Sequence, residues 1–203
     1  AQLMTIVAEG QRGRIYISSD ERQVQCADIS KPDEYPDASL SQNPRDFKTP
    51  NYGLRNFSDL FTNRQLTALT TFSDLVAEAQ TKATQDALAS GMQDDGKGLD
   101  EGGCGATAYG QAVGVYLAFI VDKLADRGST ICSWDSGYTK IRNTFARQAI
   151  PMTWDYAEAN PFSSSSGCFD HMLEWVFKSL LEFPATITGT AIQQDAQTDC
   201  GLR

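Results

Sequence analysis

Thr62 to Gly91 reads TNRQLTALTTFSDLVAEAQTKATQDALASG, and this stretch decides the fold class. Thr62 followed three residues later by Gln65 is a capping box: each side chain can satisfy a backbone N–H left over at a helix start. Leu66, Leu69, Phe72, Val76, Ala79, Ala83 and Ala87 then recur at three- and four-residue steps, the period of an amphipathic helix. Gly91 suits the left-handed position after a helix end. The stretch predicts a helix near 63–90, about 28 residues or roughly 42 Å long.

Two further helices are expected downstream. Residues 106–126 are apolar almost all round, through Val113, Val115, Leu117, Phe119, Ile120 and Leu124, and end near Gly128. Such a helix is expected to be buried between others. Gly110 and Gly114, four apart, permit close helix approach. Residues 168–182 form the second, with Phe169, Leu173, Val176, Phe177 and Leu180 as the buried face and Pro184 as the stop. A short basic helix is expected between them over 137–148, with Ile141 and Phe145 inward.

The remainder reads as strands and loops. Leu3–Ala8 and Arg14–Ser18 flank Gly10-Gln11-Arg12-Gly13, which is hairpin turn chemistry. Residues 19–52 read as a long loop punctuated by Pro32, Pro36, Pro44 and Pro50, of the kind that wraps a surface or carries function. Residues 91–105, rich in Gly and Asp, read as a flexible connector. They lack the spacing and closing Glu of a calcium loop, and no phosphate-cradling G-x-x-x-x-G-K-[ST] is present. Ala185–Gln193 is expected to be a final strand. The fold class is mainly α with a few short strands (α+β): 1–52 strand and loop, 53–183 helical body, 184–203 C-terminal strand and tail, in one domain.

The bulk numbers exclude several classes. The chain has 203 residues and is 41% hydrophobic, enough for a core and too much for a disordered chain. A net charge of −9 argues against a general nucleic-acid-binding surface, so any DNA contact needs a local basic patch. The longest apolar run, Ala112–Val121, is far short of the roughly 20 residues of a membrane span. Ala1 to Val7 has no basic flank and no usable hydrophobic region, so no signal peptide and a cytoplasmic location are expected. The five cysteines are scattered, with no C-x-x-C pair. Cys168 and His171 are spaced C-x-x-H, half of a zinc site, but no second half stands at metal-site spacing, and no metal is expected.

The densest chemistry lies in Phe145 to Phe162, FARQAIPMTWDYAEANPF. Asp155, Glu158 and Asn160 beside Trp154 and Tyr156 need partners if they are buried. We therefore expect Trp154, Asp155, Glu158 and Asn160 to form a hydrogen-bonded cluster. Asp155 and Glu158 would share a face on a helix, as general acid/base pairs can. Taken alone, such a pair more often caps a helix or holds Arg142 or Arg147. Those two arginines suit a phosphate or nucleic-acid contact; the competing reading is a solvated face that pairs with the protein's own carboxylates. No G-x-S-x-G elbow exists, and Ser163–Ser166 reads as a loop rather than a catalytic serine motif.

This segment, with Tyr52 to Thr71, resembles the large adenine-specific DNA methylases found in some anti-phage gene clusters. Gln11–Tyr16, Ala112–Leu124, Ile131–Trp134 and Glu174–Trp175 extend the resemblance over most of the chain. The resemblance implies S-adenosylmethionine-dependent N6-adenine methylation in a full-length protein. It makes this chain a partial protein, an internal helical segment inserted in or covering a Rossmann-like methyltransferase sheet. The family's Asp-Pro-Phe-x-Gly cofactor loop would lie before the chain and its Asp-Pro-Pro-Tyr catalytic motif after it. Asn160-Pro161-Phe162 resembles Asn-Pro-Pro-Phe but lacks the second proline, so no catalytic residue is assigned. By the same resemblance Asp195, at a strand end, touches the cofactor's adenine; its other reading is a strand-end Asp opening a turn. Arg142, Arg147, Trp154, Asp155, Glu158 and Asn160 are the candidate nucleic-acid or substrate contacts. Implied partners are the rest of the methyltransferase and DNA, with no membrane. No tightly bound S-adenosylmethionine is expected on the segment alone. The alternative is a free-standing, non-catalytic α-helical interaction module.

Overall fold

A computed structural model describes residues 2–183. The expected strand over 185–193 and Asp195 lie outside the described residues. Those residues hold four α-helices and two small antiparallel sheets. The first sheet is the expected hairpin: β1 (Thr5–Gly10) pairs with β2 (Gly13–Ser18), with Gly10 opposite Gly13 and Ile6 opposite Ile17.

The deciding stretch folds as read. α2 (Asn63–Ala89) starts at Thr62, whose side chain accepts from the Gln65 N–H while the Gln65 side chain accepts from the Thr62 N–H. Gly91, at φ +91°, donates to the Leu88 carbonyl, and Met92 donates to that of Ala87. This paired closure satisfies two terminal carbonyls and needs a left-handed residue at Gly91. Leu66 and Ala87 are buried, and the five apolar positions between them are half-buried.

α3 (Ala106–Arg127) packs along α2 through its small residues. A Cβ on Gly110 would collide with the Thr84 hydroxyl and stand 2.9 Å from the Gln80 carbonyl; one on Gly114 would stand 2.8 Å from Gln80 Oε1. The glycine pair thus lets the two backbones approach, as expected. The expectation that α3 is enclosed all round fails. Ile120 and Leu124 are buried, while Tyr109, Val115 and Phe119 are exposed among the described residues. The helix has two covered faces, toward α2 and toward α4 (Phe169–Glu182), and one open face.

α4 also presents a face different from the expected one. Met172 is fully buried, with Phe169 and Val176 beside it, against Ile120, Leu124, Leu69 and Phe72; Leu173 and Phe177 are exposed. The missed residue is Met172, whose unbranched side chain fills the seam between three helices. Phe72 stacks on Phe169 with centroids 5.4 Å apart. A second core joins Leu40, Leu60, Ile131 and Ile150 beneath the N-terminus of α2. Fully burying one such aliphatic side chain contributes about 1.5–3 kcal/mol.

Three further local expectations are corrected. Residues 137–148 form no helix. Instead β3 (Trp134–Asp135) pairs with β4 (Lys140–Ile141). Asp135 Oδ1 accepts the N–H groups of Gly137 and Tyr138, and its Oδ2 accepts from Arg142 Nε and Nη2, which fixes the turn. The loop over 19–52 contains α1 (Glu21–Ala27), capped by Asp20 and Gln23, and a 3-10 turn at Thr49–Tyr52. Residues 91–105 are a hydrogen-bonded turn structure rather than a plain connector. Asp94 caps α3 from outside by accepting from the Thr107 N–H and hydroxyl, and Gln111 Oε1 accepts from the Leu99 N–H.

Candidate functional site

The first turn of α2, the 3-10 turn at Thr49–Tyr52 and the segment 150–162 meet on one surface. The capping box sets Arg64 and Gln65 in the helix's first turn. Gln65 then does two jobs. Its Oε1 accepts from the Thr62 N–H, and its Nε2 donates to Glu158 Oε2 at 3.1 Å. Arg64 Nη2 donates to the same oxygen at 2.9 Å. The Glu158 carboxylate therefore sits at the positive end of a 27-residue helix, where an anion is favoured. The Arg64 Nε is buried without a partner among the described residues.

The segment 150–162 has no regular structure, but its backbone is strung on two neighbours. Ile150 donates to the Asp46 carbonyl and accepts from Lys48 N–H; Ala157 donates to the Cys132 carbonyl at 2.7 Å; Thr153 Oγ1 donates to the Ile131 carbonyl. These bonds replace the helix on which Asp155 and Glu158 would have shared a face.

The electrostatics follow from this packing. Hydrogen bonding to Glu158 raises the Arg64 pKa above its ordinary value, against the opposing effect of partial burial. Burial raises the Tyr156 hydroxyl, and the nearby Glu158 charge raises it further while Arg64 offsets part of that rise. Both side chains are held in their ordinary neutral-pH forms, with Arg64 charged and Tyr156 protonated.

The expected four-residue cluster is not formed. Of Trp154, Asp155, Glu158 and Asn160, only Glu158 carries side-chain bonds into the body. Trp154 is 77% exposed and stands edge-on to Tyr52, with centroids 5.3 Å apart and planes at 83°. Asp155 is exposed and makes no side-chain hydrogen bond among the described residues. Asn160 closes a local turn: its Oδ1 accepts from the Phe162 N–H and its carbonyl from Ser163. Arg142 is bound to Asp135, the pairing with the protein's own carboxylates weighed above. That bond holds the Asp135 carboxyl below its ordinary range. Arg147 is exposed, with no ion pair among the described residues.

Reading the residues alone missed Tyr52, Arg64, Gln65 and Tyr156 as members of this surface. The capping box pointed at Gln65, but nothing local signals that its amide has a second partner more than ninety residues away. Cys168 is buried at the start of α4 and His171 is exposed on it. Among the described residues no group of three His, Cys, Asp or Glu side chains is placed to hold a metal ion, and no helix is long and apolar enough to cross a membrane.

The geometry thus offers an exposed aromatic pair, Trp154 and Tyr52, mounted beside a carboxylate that accepts from Arg64 and Gln65. An exposed aromatic ring can stack a flat ligand ring such as a base; the carboxylate holds the segment in place. Comparison with protein-family models, with curated proteins and with solved structures finds no match to this chain.

Proposed function

We propose that this chain is part of an S-adenosylmethionine-dependent adenine-specific DNA methyltransferase, its helical substrate-facing segment, inserted in or covering a Rossmann-like catalytic sheet. One observation carries the reading. Two of the stretches that carry the resemblance, Tyr52–Thr71 and Arg142–Phe162, come together at Tyr52 with Trp154 and at Arg64 and Gln65 with Glu158. The residues that make the resemblance unusual therefore build one surface, and that surface exposes aromatic rings able to stack a base. Trp154 and Tyr52 are the stacking pair, Glu158 is the strut that fixes the segment, and Asp155, Asn160 and Arg147 flank it. Arg142, engaged by Asp135, keeps at most a secondary contact.

The chain contains neither the Asp-Pro-Phe-x-Gly loop nor the Asp-Pro-Pro-Tyr motif, so in this reading Asp195 contributes an adenine contact while the rest of the cofactor site and the methyl-transfer step belong to other parts of a full-length protein working in the cytoplasm. The test is transfer of labelled methyl from S-adenosylmethionine to DNA by the full-length protein, with N6-methyladenine identified after digestion. Its formation is expected. A full-length reading frame without the Asp-Pro-Pro-Tyr motif downstream of Arg203, together with no methyl transfer, would overturn the reading.

A second reading, a non-catalytic helical interaction module, is favoured by an apolar groove of about 180 Å³ between α3 and α4, lined by Val113, Leu117, Leu173 and Phe177 among others. Methyl transfer that survives charged substitutions in this groove would count against it.

A further inference from the structure

A cleft of about 410 Å³ opens between residues 39 and 56, away from the α3–α4 groove. This is within the roughly 300–1,000 Å³ of small-molecule sites. Its lining divides by chemistry. Pro44, Phe47 and Pro50 supply apolar surface, with the buried Leu40 behind them, and Gln42 and Asn51 supply amides. Arg55 is the only charged side chain in the lining.

Arg55 is not spent on the protein's own carboxylates. Its guanidinium forms no ion pair among the described residues, unlike those of Arg14, Arg64 and Arg142. The nearby acids have other tasks: Asp59 Oδ2 accepts from the Arg55 and Asn56 N–H groups, and Asp37 Oδ1 accepts from Asn56 Nδ2 and Ser58 Oγ. Lys48, the neighbouring cation, is tied to the Pro44 carbonyl at 2.6 Å. Other arginines of the described residues also lack an ion pair, Arg147 among them, but Arg55 is the one that lines this cleft.

A free guanidinium suits a phosphate through two parallel N–H donors. Side-chain amides suit the donor–acceptor edge of a base. An apolar wall suits the base's face. We propose that this cleft binds one nucleotide, with the phosphate on Arg55 and the base edge on Asn51 and Gln42. The nucleotide is either free or a unit of a single DNA strand. The 3-10 turn that supplies Asn51 also carries Tyr52, so a strand seated here would run toward the Tyr52–Trp154 pair. The nucleotide site rests on the lining of this cleft; the DNA-strand source and the choice of adenine rest on the methyltransferase reading.

The experiment titrates the chain by calorimetry with deoxyadenosine 5′-monophosphate and with deoxyadenosine, and by fluorescence anisotropy with a short labelled single-stranded deoxyoligonucleotide. The monophosphate is expected to bind, and deoxyadenosine at least about tenfold more weakly. Arg55→Ala should weaken the monophosphate about tenfold, and Arg55→Lys should recover only part of that, since lysine keeps the charge and loses the fork. Asn51→Ala should weaken it about threefold. Arg55 and Asn51 are exposed, and unchanged unfolding midpoints would verify that both variants fold. Oligonucleotide binding that falls in parallel identifies a DNA strand as the source; monophosphate binding without it identifies a free nucleotide. Absence of binding by both probes, or binding unaffected by Arg55→Ala, overturns the proposal. In the latter case methyl transfer by the full-length protein still decides the methyltransferase reading separately.

Discussion

The α2–α3 pair and the segment 129–167 are built by opposite means. α2 and α3 are long, regular and joined over their length by small residues; Gly110 and Gly114 let one backbone lie against the other. The segment 129–167 has two strand pairs of residues and otherwise no regular structure. It is held by scattered backbone bonds, such as that from the Ala157 N–H to the Cys132 carbonyl, and by a few side chains with several partners. Asp126, in the last turn of α3, is a hub: Oδ1 accepts from the Phe145 N–H at 2.8 Å, Oδ2 from Asn143 Nδ2, and its carbonyl from the Thr144 N–H. Ser129, Thr144 and Cys132 form a buried hydroxyl–thiol group beside it. The helical pair is a scaffold of distributed contacts, while the segment carrying Trp154 depends on a few named groups such as Asp126. Damage to the first should spread; damage to the second should be local.

The largest expected effect breaks the helical half. Gly110→Val places a branched side chain where a Cβ already collides with Thr84, so it should cost about 1–3 kcal/mol by overpacking. Its gain in helix propensity returns only about 0.4 kcal/mol. Thermal unfolding should show one cooperative loss across the chain. Asp126→Ala should cost about 1–2 kcal/mol, because the Phe145 N–H and the Asn143 amide lose their acceptor. Hydrogen exchange should show the loss concentrated over 142–150, with α2 still protected. Equal loss of protection in α2 would erase the proposed difference between the two regions.

A smaller effect is pH-dependent. The Thr107 hydroxyl and N–H hold the Asp94 carboxyl below its ordinary value of 3.8. A carboxylate whose folded value is depressed stabilises the fold at pH above its unfolded value and ceases to do so as pH falls through the folded one. Acid unfolding should therefore steepen below about pH 4, and Asp94→Asn should flatten that limb while leaving the profile above about pH 5 parallel to the wild type. The smallest effect is Asp155→Ala. Asp155 is exposed and makes no side-chain hydrogen bond among the described residues, so its removal should stay within about 0.5 kcal/mol. A larger loss would restore the buried cluster expected from sequence alone.

α2 was legible from end to end because its cap, its period and Gly91 all point the same way. The α2–α3 approach was legible because a glycine pair four residues apart has a direct geometric meaning. α1 was missed although Asp20 and Gln23 form the same capping pattern as Thr62 and Gln65; the prolines that follow drew the reading toward a loop. The helix expected over 137–148 rested on Ile141 and Phe145, four apart. The Asp135-Ser136-Gly137 turn outweighs that spacing, because one aspartate satisfies two N–H groups and anchors Arg142. Of the candidate site, the importance of 145–162 was visible in its composition. Its partners were not, since Glu158 is fixed by Arg64 and Gln65 across more than ninety residues. Such a contact leaves no local pattern.

Trp154 is 77% exposed, and the proposed function has it face substrate rather than the protein's interior. The most direct test is Trp154→Ala in the full-length protein, read as the rate of labelled methyl transfer to DNA beside the unfolding midpoint. Loss of a stacking contact of about 1–3 kcal/mol predicts a rate or affinity for DNA lowered by at least about fivefold with the midpoint unchanged. Methyl transfer at the wild-type rate, or a midpoint that falls along with activity, would contradict it.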